Sequence, residues 1–141
     1  MNREIKFRAW DIENKEMLKV QELDFEPTFY GGRIAIRPDQ YNDYFDTEDM
    51  ILMQYTGLHD ENGKEIYEGD IVLYQDWEMA YEGGGNDSFI NKGIVEYCED
   101  NCCFNVTERQ TVDLADVLYK DNEDLEIIGN IYDNPELLEG E

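Results

Sequence analysis

The chain has 141 residues, with 35 acidic and 11 basic side chains and a formal net charge of −24. This length suits one domain, and the apolar fraction of 41% with 13% aromatic residues suffices for a packed core. The composition therefore argues against a wholly disordered chain, because such chains are poor in aromatic residues. The charge also argues against a protein that coats nucleic-acid phosphates, since that binding needs clustered lysine and arginine.

The predicted elements are mostly short β-strands. Period-two alternation and apolar runs bounded by turn residues place them, in chain order, at residues 5–10, 17–20, 33–37, 51–55, 71–74, 93–98, 102–107 and 125–131. Gly57 is predicted to end the fourth strand, and Asn62-Gly63 is a strong turn signal. Residues 99–101 are predicted to form a hairpin loop.

Helix signals are weaker and are confined to the C-terminal part. Asp113–Tyr119 predicts two helical turns, with the acidic residue near the N-terminus as the macrodipole favours. Asn134 and Pro135 suit the N-cap and first position of a short terminal helix. The elements together predict a mainly β fold (β or α+β), a small barrel or rolled sheet with one or two short helices.

Charge and hydropathy predict one cytoplasmic domain spanning residues 1–141. Residues 1–40 have a net charge of 7 − 8 = −1 and residues 41–141 one of 4 − 27 = −23, but no linker separates them. No stretch approaches ~20 apolar residues, and the first residues lack the apolar core of a secretory signal. We therefore predict no membrane partner, and cysteines that remain thiols.

Three blocks of sequence resemble the YopX family of phage and prophage proteins. They are IKFRAWD at 5–11, MQYTGLHDENGKEIYEGDIV at 53–72 and IGNIYDNPELL at 128–138, in the family's order. The resemblance implies a mainly β protein with an SH3-like barrel, acting in a bacterial host's cytoplasm, and it transfers no catalytic residue. Segments 21–50 and 76–91 are predicted to vary within the family. The turn dipeptides of the middle block favour a fold-determining signature over a binding site.

Candidate catalytic and metal-binding residues are few. His59, the one histidine, has no nucleophile near it in sequence, so we expect an exposed loop residue. Cys98, Cys102 and Cys103 lack the paired spacing of a zinc site, and a hairpin is expected to place Cys98 and Cys102 across a loop with Cys103 on the opposite face. We predict no catalysis, no cofactor and no metal site.

The candidate interaction surface is a run of aromatic and acidic residues comprising Tyr41, Asp43, Tyr44, Phe45 and Asp46. Tyrosine is favoured at interface hot spots, although aromatic residues of a small domain mostly cover the core. The leading hypothesis is a non-enzymatic protein–protein interaction module whose acidic face binds a basic host or phage protein. The alternatives are a nucleic-acid mimic that inhibits a DNA- or RNA-binding protein, self-assembly into a homo-oligomer, and a carboxylate-based, metal-dependent hydrolase.

Overall fold

The computed structural model describes residues 4–25, 33–76, 89–99, 102–107, 111–113 and 125–138, most of them in β-strands. The chain divides into two compact units, Met1–Gly57 and Leu58–Glu141. The described strands form one sheet of six strands and another of five. The described segments contain no helix long and apolar enough to span a membrane.

The first unit is an antiparallel sheet built around its first hairpin. Its strands are β1 (Phe7–Asp11), β2 (Glu16–Asp24), β3 (Ala35–Pro38), β4 (Phe45–Asp46) and β5 (Met50–His59), the last of which crosses the division between the units. The register places Ala9 opposite both Leu18 and Leu52, so the alternating apolar residues share one face. The buried core of this face comprises Ala9, Leu18, Ile36 and Met50.

The second unit has its own core between short strands. Its elements are β6 (Glu65–Tyr67), β7 (Asp70–Asp76), β8 (Phe89–Cys98), β9 (Cys103–Thr107), β10 (Thr111–Asp113), β11 (Glu126–Asn130) and a 3₁₀ turn (Pro135–Leu138). Its buried side chains are Ile66, Val72, Tyr74, Val95, Val106, Leu125 and Ile127. The long β7–β8–β9 meander supplies most of these side chains, because every second residue faces inward.

The mainly β prediction is confirmed, and each predicted strand has a counterpart. The barrel is not observed: the described strands form two antiparallel sheets that do not close. In hydrogen-bonded order the strands are β4-β3-β2-β1-β5-β6 in one sheet and β10-β9-β8-β7-β11 in the other. Gly57 does not end its strand but lies within β5 at φ +89°, a conformation that glycine adopts without steric cost.

The two predicted helices have different outcomes. Asp113 ends β10, and residues 114–119 of the predicted helix lie outside the described residues. The terminal helix is a single 3₁₀ turn, in which the Leu137 amide donates to the Asn134 carbonyl (3.0 Å). The single-domain prediction stays a prediction, and most of the predicted variable segment 76–91 also lies outside the described residues.

Candidate interaction surface and the family motifs

The first motif block ends in a hairpin turn that Asp11 holds together. Its side chain, 5% exposed, accepts hydrogen bonds through Oδ1 from the backbone amides of Glu13 (3.1 Å) and Asn14 (3.2 Å). Its Oδ2 accepts a third from Asn14 Nδ2 (2.9 Å). Lys15 completes the turn at φ +55°, with its amide donating to the Asp11 carbonyl (2.8 Å). The carboxylate therefore serves the fold, as an aspartate that caps its own turn does.

The middle block contains a second buried carboxylate, Asp60, which is 7% exposed. Its Oδ1 accepts from the amides of Asn62 (2.9 Å) and Lys64 (2.8 Å), which close the turn around Gly63 at φ +80°. Its Oδ2 accepts from the amide of Ile127 in β11 (3.1 Å), 67 residues further along the chain. Asp60 thus fixes the β5–β6 turn and anchors it to β11.

A third carboxylate, Asp70, begins β7 and is 2% exposed. It accepts from the amide of Tyr67 (2.8 Å), which closes the turn between β6 and β7. Gly69 in this turn adopts φ +87°, donates to the Val95 carbonyl (2.8 Å) and accepts from the Ile131 amide (2.9 Å). The Glu-Gly-Asp sequence therefore joins three segments of the second unit through backbone hydrogen bonds.

In the last motif block, residues 128–138, an asparagine side chain accepts hydrogen bonds from the following turn in the same way. Asn130 Oδ1 accepts from the amides of Tyr132 (3.0 Å) and Asp133 (2.8 Å), while the Asn130 amide donates to Asn134 Oδ1 (3.2 Å). The side chain of Asn134, which was predicted to cap the terminal helix, therefore accepts its hydrogen bond from the Asn130 amide instead. A Cβ on Gly129 would lie 2.5 Å from Asn134 Oδ1 and 2.9 Å from Leu137 Cδ1, so any other residue would have to displace these side chains.

These polar groups support the fold-determining interpretation of the motif blocks. The side chains of Asp11, Asp60 and Asn130 accept hydrogen bonds from the turns that follow them, and Asp70 accepts one from the turn that precedes it. His59 is exposed at the end of β5 rather than in a loop. Within the described ranges, no three histidine, cysteine or acidic side chains are grouped so that they could hold a metal ion.

The three cysteines are arranged differently from the prediction. Cys98 ends β8 and Cys103 begins β9, and the two residues lie directly opposite each other in the hairpin register. They share a face of the sheet, whereas Cys102 occupies the turn at φ +54° and is exposed. The expected pairing of Cys98 with Cys102 was wrong because the loop is one residue longer than the turn signal indicated.

The predicted interaction segment is divided between core and surface. Tyr41 and Phe45 are half-buried and pack on the core of the first unit. Their rings meet edge to face with centroids 5.7 Å apart. These two aromatic residues cover the sheet where β3 meets the edge strand β4, so their contribution is to packing.

Asp46 is buried as well, at 7% exposure, and is paired. Its Oδ2 accepts from Arg33 NH2 (3.3 Å), and its Oδ1 accepts from the Glu48 amide (2.8 Å). Arg33 also reaches Glu48 Oε1 at 3.6 Å, so one guanidinium lies between two carboxylates. Asp46 therefore orders the turn after β4 and presents little charge to a partner.

Tyr44 and Asp43 are the members of the segment that face solvent, with Tyr44 39% exposed. The Tyr44 hydroxyl donates to Glu22 Oε2, and Arg37 NH2 donates to Glu22 Oε1 at 2.6 Å. The hydrogen bond from Arg37, and then that from Tyr44, lowers the pKa of Glu22, while the carboxylate raises the pKa of both donors. Arg37 also donates to the Tyr41 carbonyl (3.4 Å).

Sequence reasoning missed Glu22 and Arg37, which hold the exposed tyrosine in one orientation. Glu22 lies on β2 and Arg37 on β3, and the register pairs the two residues directly. The sequence shows opposite charges on two adjacent predicted strands, which indicates a cross-strand pair. It does not show the register that decides which residues face each other. We call Glu22, Arg37, Asp43 and Tyr44 the tyrosine surface.

Comparisons with known proteins agree with this architecture. A family model described as YopX protein matches residues 6–139 and so spans both compact units. The crystal structure of protein EF1440 from Enterococcus faecalis is similar, with a TM-score of 0.60 and 28% sequence identity, over 98% of this chain and 100% of that one. No curated protein matches. The match over residues 6–139 shows that the chain belongs to the YopX family.

Proposed function

We propose that the chain is a non-enzymatic protein-binding module, encoded by a phage or prophage, that binds a basic protein in the bacterial cytoplasm. The observation that carries this proposal is the uneven distribution of charge between the two units. The first unit has 7 basic and 12 acidic residues, or −5, and the second has 4 and 23, or −19. Most of the net charge of −24 therefore belongs to the second unit.

Pairing within the second unit cannot remove this charge. Even if each of the 4 basic residues neutralised one acidic residue, 23 − 4 = 19 would have no basic partner of that unit. Such an excess opposes compact folding by self-repulsion, and a basic partner would relieve it while being steered toward the surface. Among the described residues of this unit, Glu96 on β8 and Glu126 on β11 are exposed. We call the surface that these two residues mark the acidic face.

The tyrosine surface supports a second, more specific contact. Tyr44 presents a ring whose hydroxyl is already fixed by Glu22, so little side-chain freedom is lost on binding. The adjacent Asp43 is exposed and adds charge. A partner with an aromatic or aliphatic group and a nearby basic side chain would complement this surface.

The proposal is tested by capturing partners from host lysate at ~150 mM and ~500 mM salt, since exposed charges are screened over this range. Two matched double variants distinguish binding by the second unit from binding by the first. Glu96→Lys with Glu126→Lys alters the acidic face, and Glu13→Lys with Glu16→Lys alters exposed residues of the first unit. Each changes the net charge from −24 by +4 to −20, so their difference reports position rather than total charge.

We expect a basic partner at low salt, lost with the acidic-face variant and kept with the control. Equal losses in both variants would contradict a defined acidic face. Competition by added DNA would favour a nucleic-acid mimic over a general protein-binding module. Saturable binding of a divalent metal in calorimetry would favour the carboxylate-based hydrolase. A mass above the monomer in light scattering, with no captured partner, would favour self-assembly.

A further inference from the structure

The β8–β9 hairpin places two thiols at the same rung of an antiparallel ladder. Cys98 and Cys103 are the last register pair before the turn, following Tyr97 opposite Phe104. Directly opposed residues in antiparallel strands have Cα atoms ~4.5 or ~5.5 Å apart, depending on the hydrogen-bonding pattern. Both separations lie within the ~4.4–6.8 Å between the Cα atoms of a disulfide, so the register brings the two cysteines within bridging range.

The rest of the hairpin holds this register in place. Val95 and Val106 are paired and fully buried in the core of the second unit. Tyr97 and Phe104 stack edge to face, with centroids 5.4 Å apart, on the same face as these valines. A slip of one residue would expose this face, so the pairing of the thiols is fixed by the core.

The two opposed cysteines are also partly exposed to solvent. Cys98 and Cys103 are half-buried, and the Cys103 thiol donates to Asn105 Oδ1 (3.2 Å). Asn105 is fully buried and orients Cys103 on the face that Cys98 shares. Cys102 is different, because its thiol donates to the Glu99 carbonyl within the turn (3.6 Å).

We propose that Cys98 and Cys103 form a reversible disulfide by exchange with a low-molecular-weight disulfide, a modification site independent of the proposed function. The thiolate of either cysteine attacks the reagent, forms a mixed disulfide and releases one small thiolate. The other cysteine, as its thiolate, attacks the protein sulfur of the mixed disulfide and releases the second. The two protein thiols are oxidised, the reagent is reduced to two thiols, and the two protons pass to the released thiolates.

The test equilibrates the full chain with oxidised and reduced glutathione at graded ratios, followed by alkylation and mass spectrometry. All three cysteines lie between Lys92 and Arg109, so trypsin alone leaves them in one peptide. Cleavage after Glu99 by a glutamate-specific protease separates Cys98 from the other two. A disulfide from Cys98 then appears as two peptides joined under non-reducing conditions.

Single variants identify the partner of Cys98. We expect the parent and Cys102→Ser to reach half-oxidation within about twofold of the same glutathione ratio. Cys98→Ser and Cys103→Ser should each lose the joined peptides while keeping the parent's far-ultraviolet circular dichroism. Linkage that disappears in Cys102→Ser, or mixed disulfides alone at every ratio in the folded parent, would overturn the proposal.

Discussion

Replacing Asp60 by alanine leaves three backbone amides, those of Asn62, Lys64 and Ile127, without their acceptor. The side chain is 7% exposed and lies where the β5–β6 turn meets β11, so the perturbation is local and defined. We expect the second unit to lose stability, because the substitution removes the side-chain hydrogen bond between two residues that are 67 positions apart. The backbone hydrogen bond from the Glu61 amide to the Leu125 carbonyl (2.9 Å) still joins the same two segments.

The magnitude follows from the different surroundings of the three amides. A hydrogen bond to a charged group contributes about 1.5–3 kcal/mol, so three would sum to about 4.5–9 kcal/mol if they were independent. The hydrogen bonds from the Asn62 and Lys64 amides are only partly buried, whereas the one from the Ile127 amide is buried. We therefore expect a loss of about 3–5 kcal/mol in the free energy of unfolding, with Ile127 the largest contributor.

Urea denaturation of the full chain measures this loss, with Glu126→Ala as the control. Glu126 lies on β11 next to Ile127 but is exposed, so its removal should change stability by less than about 0.5 kcal/mol. Asp60→Asn is a second informative variant. An amide retains one acceptor oxygen but turns a donor toward one of the three N–H groups, so its effect should fall between those of alanine and the parent.

The reasoning would be refuted if Asp60→Ala were as stable as the Glu126→Ala control. Amide hydrogen exchange gives an independent reading at single residues. The Ile127 amide should exchange faster in Asp60→Ala than in the parent, and by more than the loss of global stability alone explains. Unchanged protection at Ile127 would mean that its hydrogen bond to Asp60 is not formed in solution.

Further outcomes are expected for Gly129 and for the residues of the tyrosine surface. Gly129→Ala should destabilise the chain by about 1–3 kcal/mol in urea denaturation, because its Cβ would lie 2.5 Å from Asn134 Oδ1. The lowered pKa of Glu22 means that its contribution to stability is present above the ordinary value of 4.5 and is lost as pH falls through the folded-state pKa. In an NMR titration, Arg37→Gln should raise the pKa of Glu22 toward that value. Glu22→Gln should lower the raised pKa of Tyr44 toward 10.0, as followed by ultraviolet absorbance, and no shift would contradict their hydrogen bond.

The strands were predictable because their signal is local. Alternation at 5–10 and the apolar run at 71–74 each reflect one buried face of a sheet, and both segments form strands. The β1–β2 and β8–β9 hairpins followed from turn residues between such runs. That the described strands do not close into a barrel was not predictable in this way, because closure depends on which edge strands pair, and that choice is made between segments distant in sequence.

For the candidate interaction surface too, the sequence identified the residues but not their long-range contacts. Aromatic and acidic residues at 41–46 could be found from the sequence, but their alternation did not say which would face solvent. Tyr41 and Phe45 pack on the core, and Asp46 is buried beside Arg33. Tyr44 remains exposed, and its partner Glu22 comes from β2, 22 residues earlier in the chain.

The sequence by itself determined the strands, the turns of the three family blocks and the family to which the chain belongs. Its charge also determined that most of the acidic excess follows Gly57. Only the tertiary structure decided that Asp60 accepts from Ile127 and that Cys98 faces Cys103 rather than Cys102. The physical reason is that a turn is fixed by neighbours within four residues, whereas register and long-range acceptors are fixed by which faces the core buries.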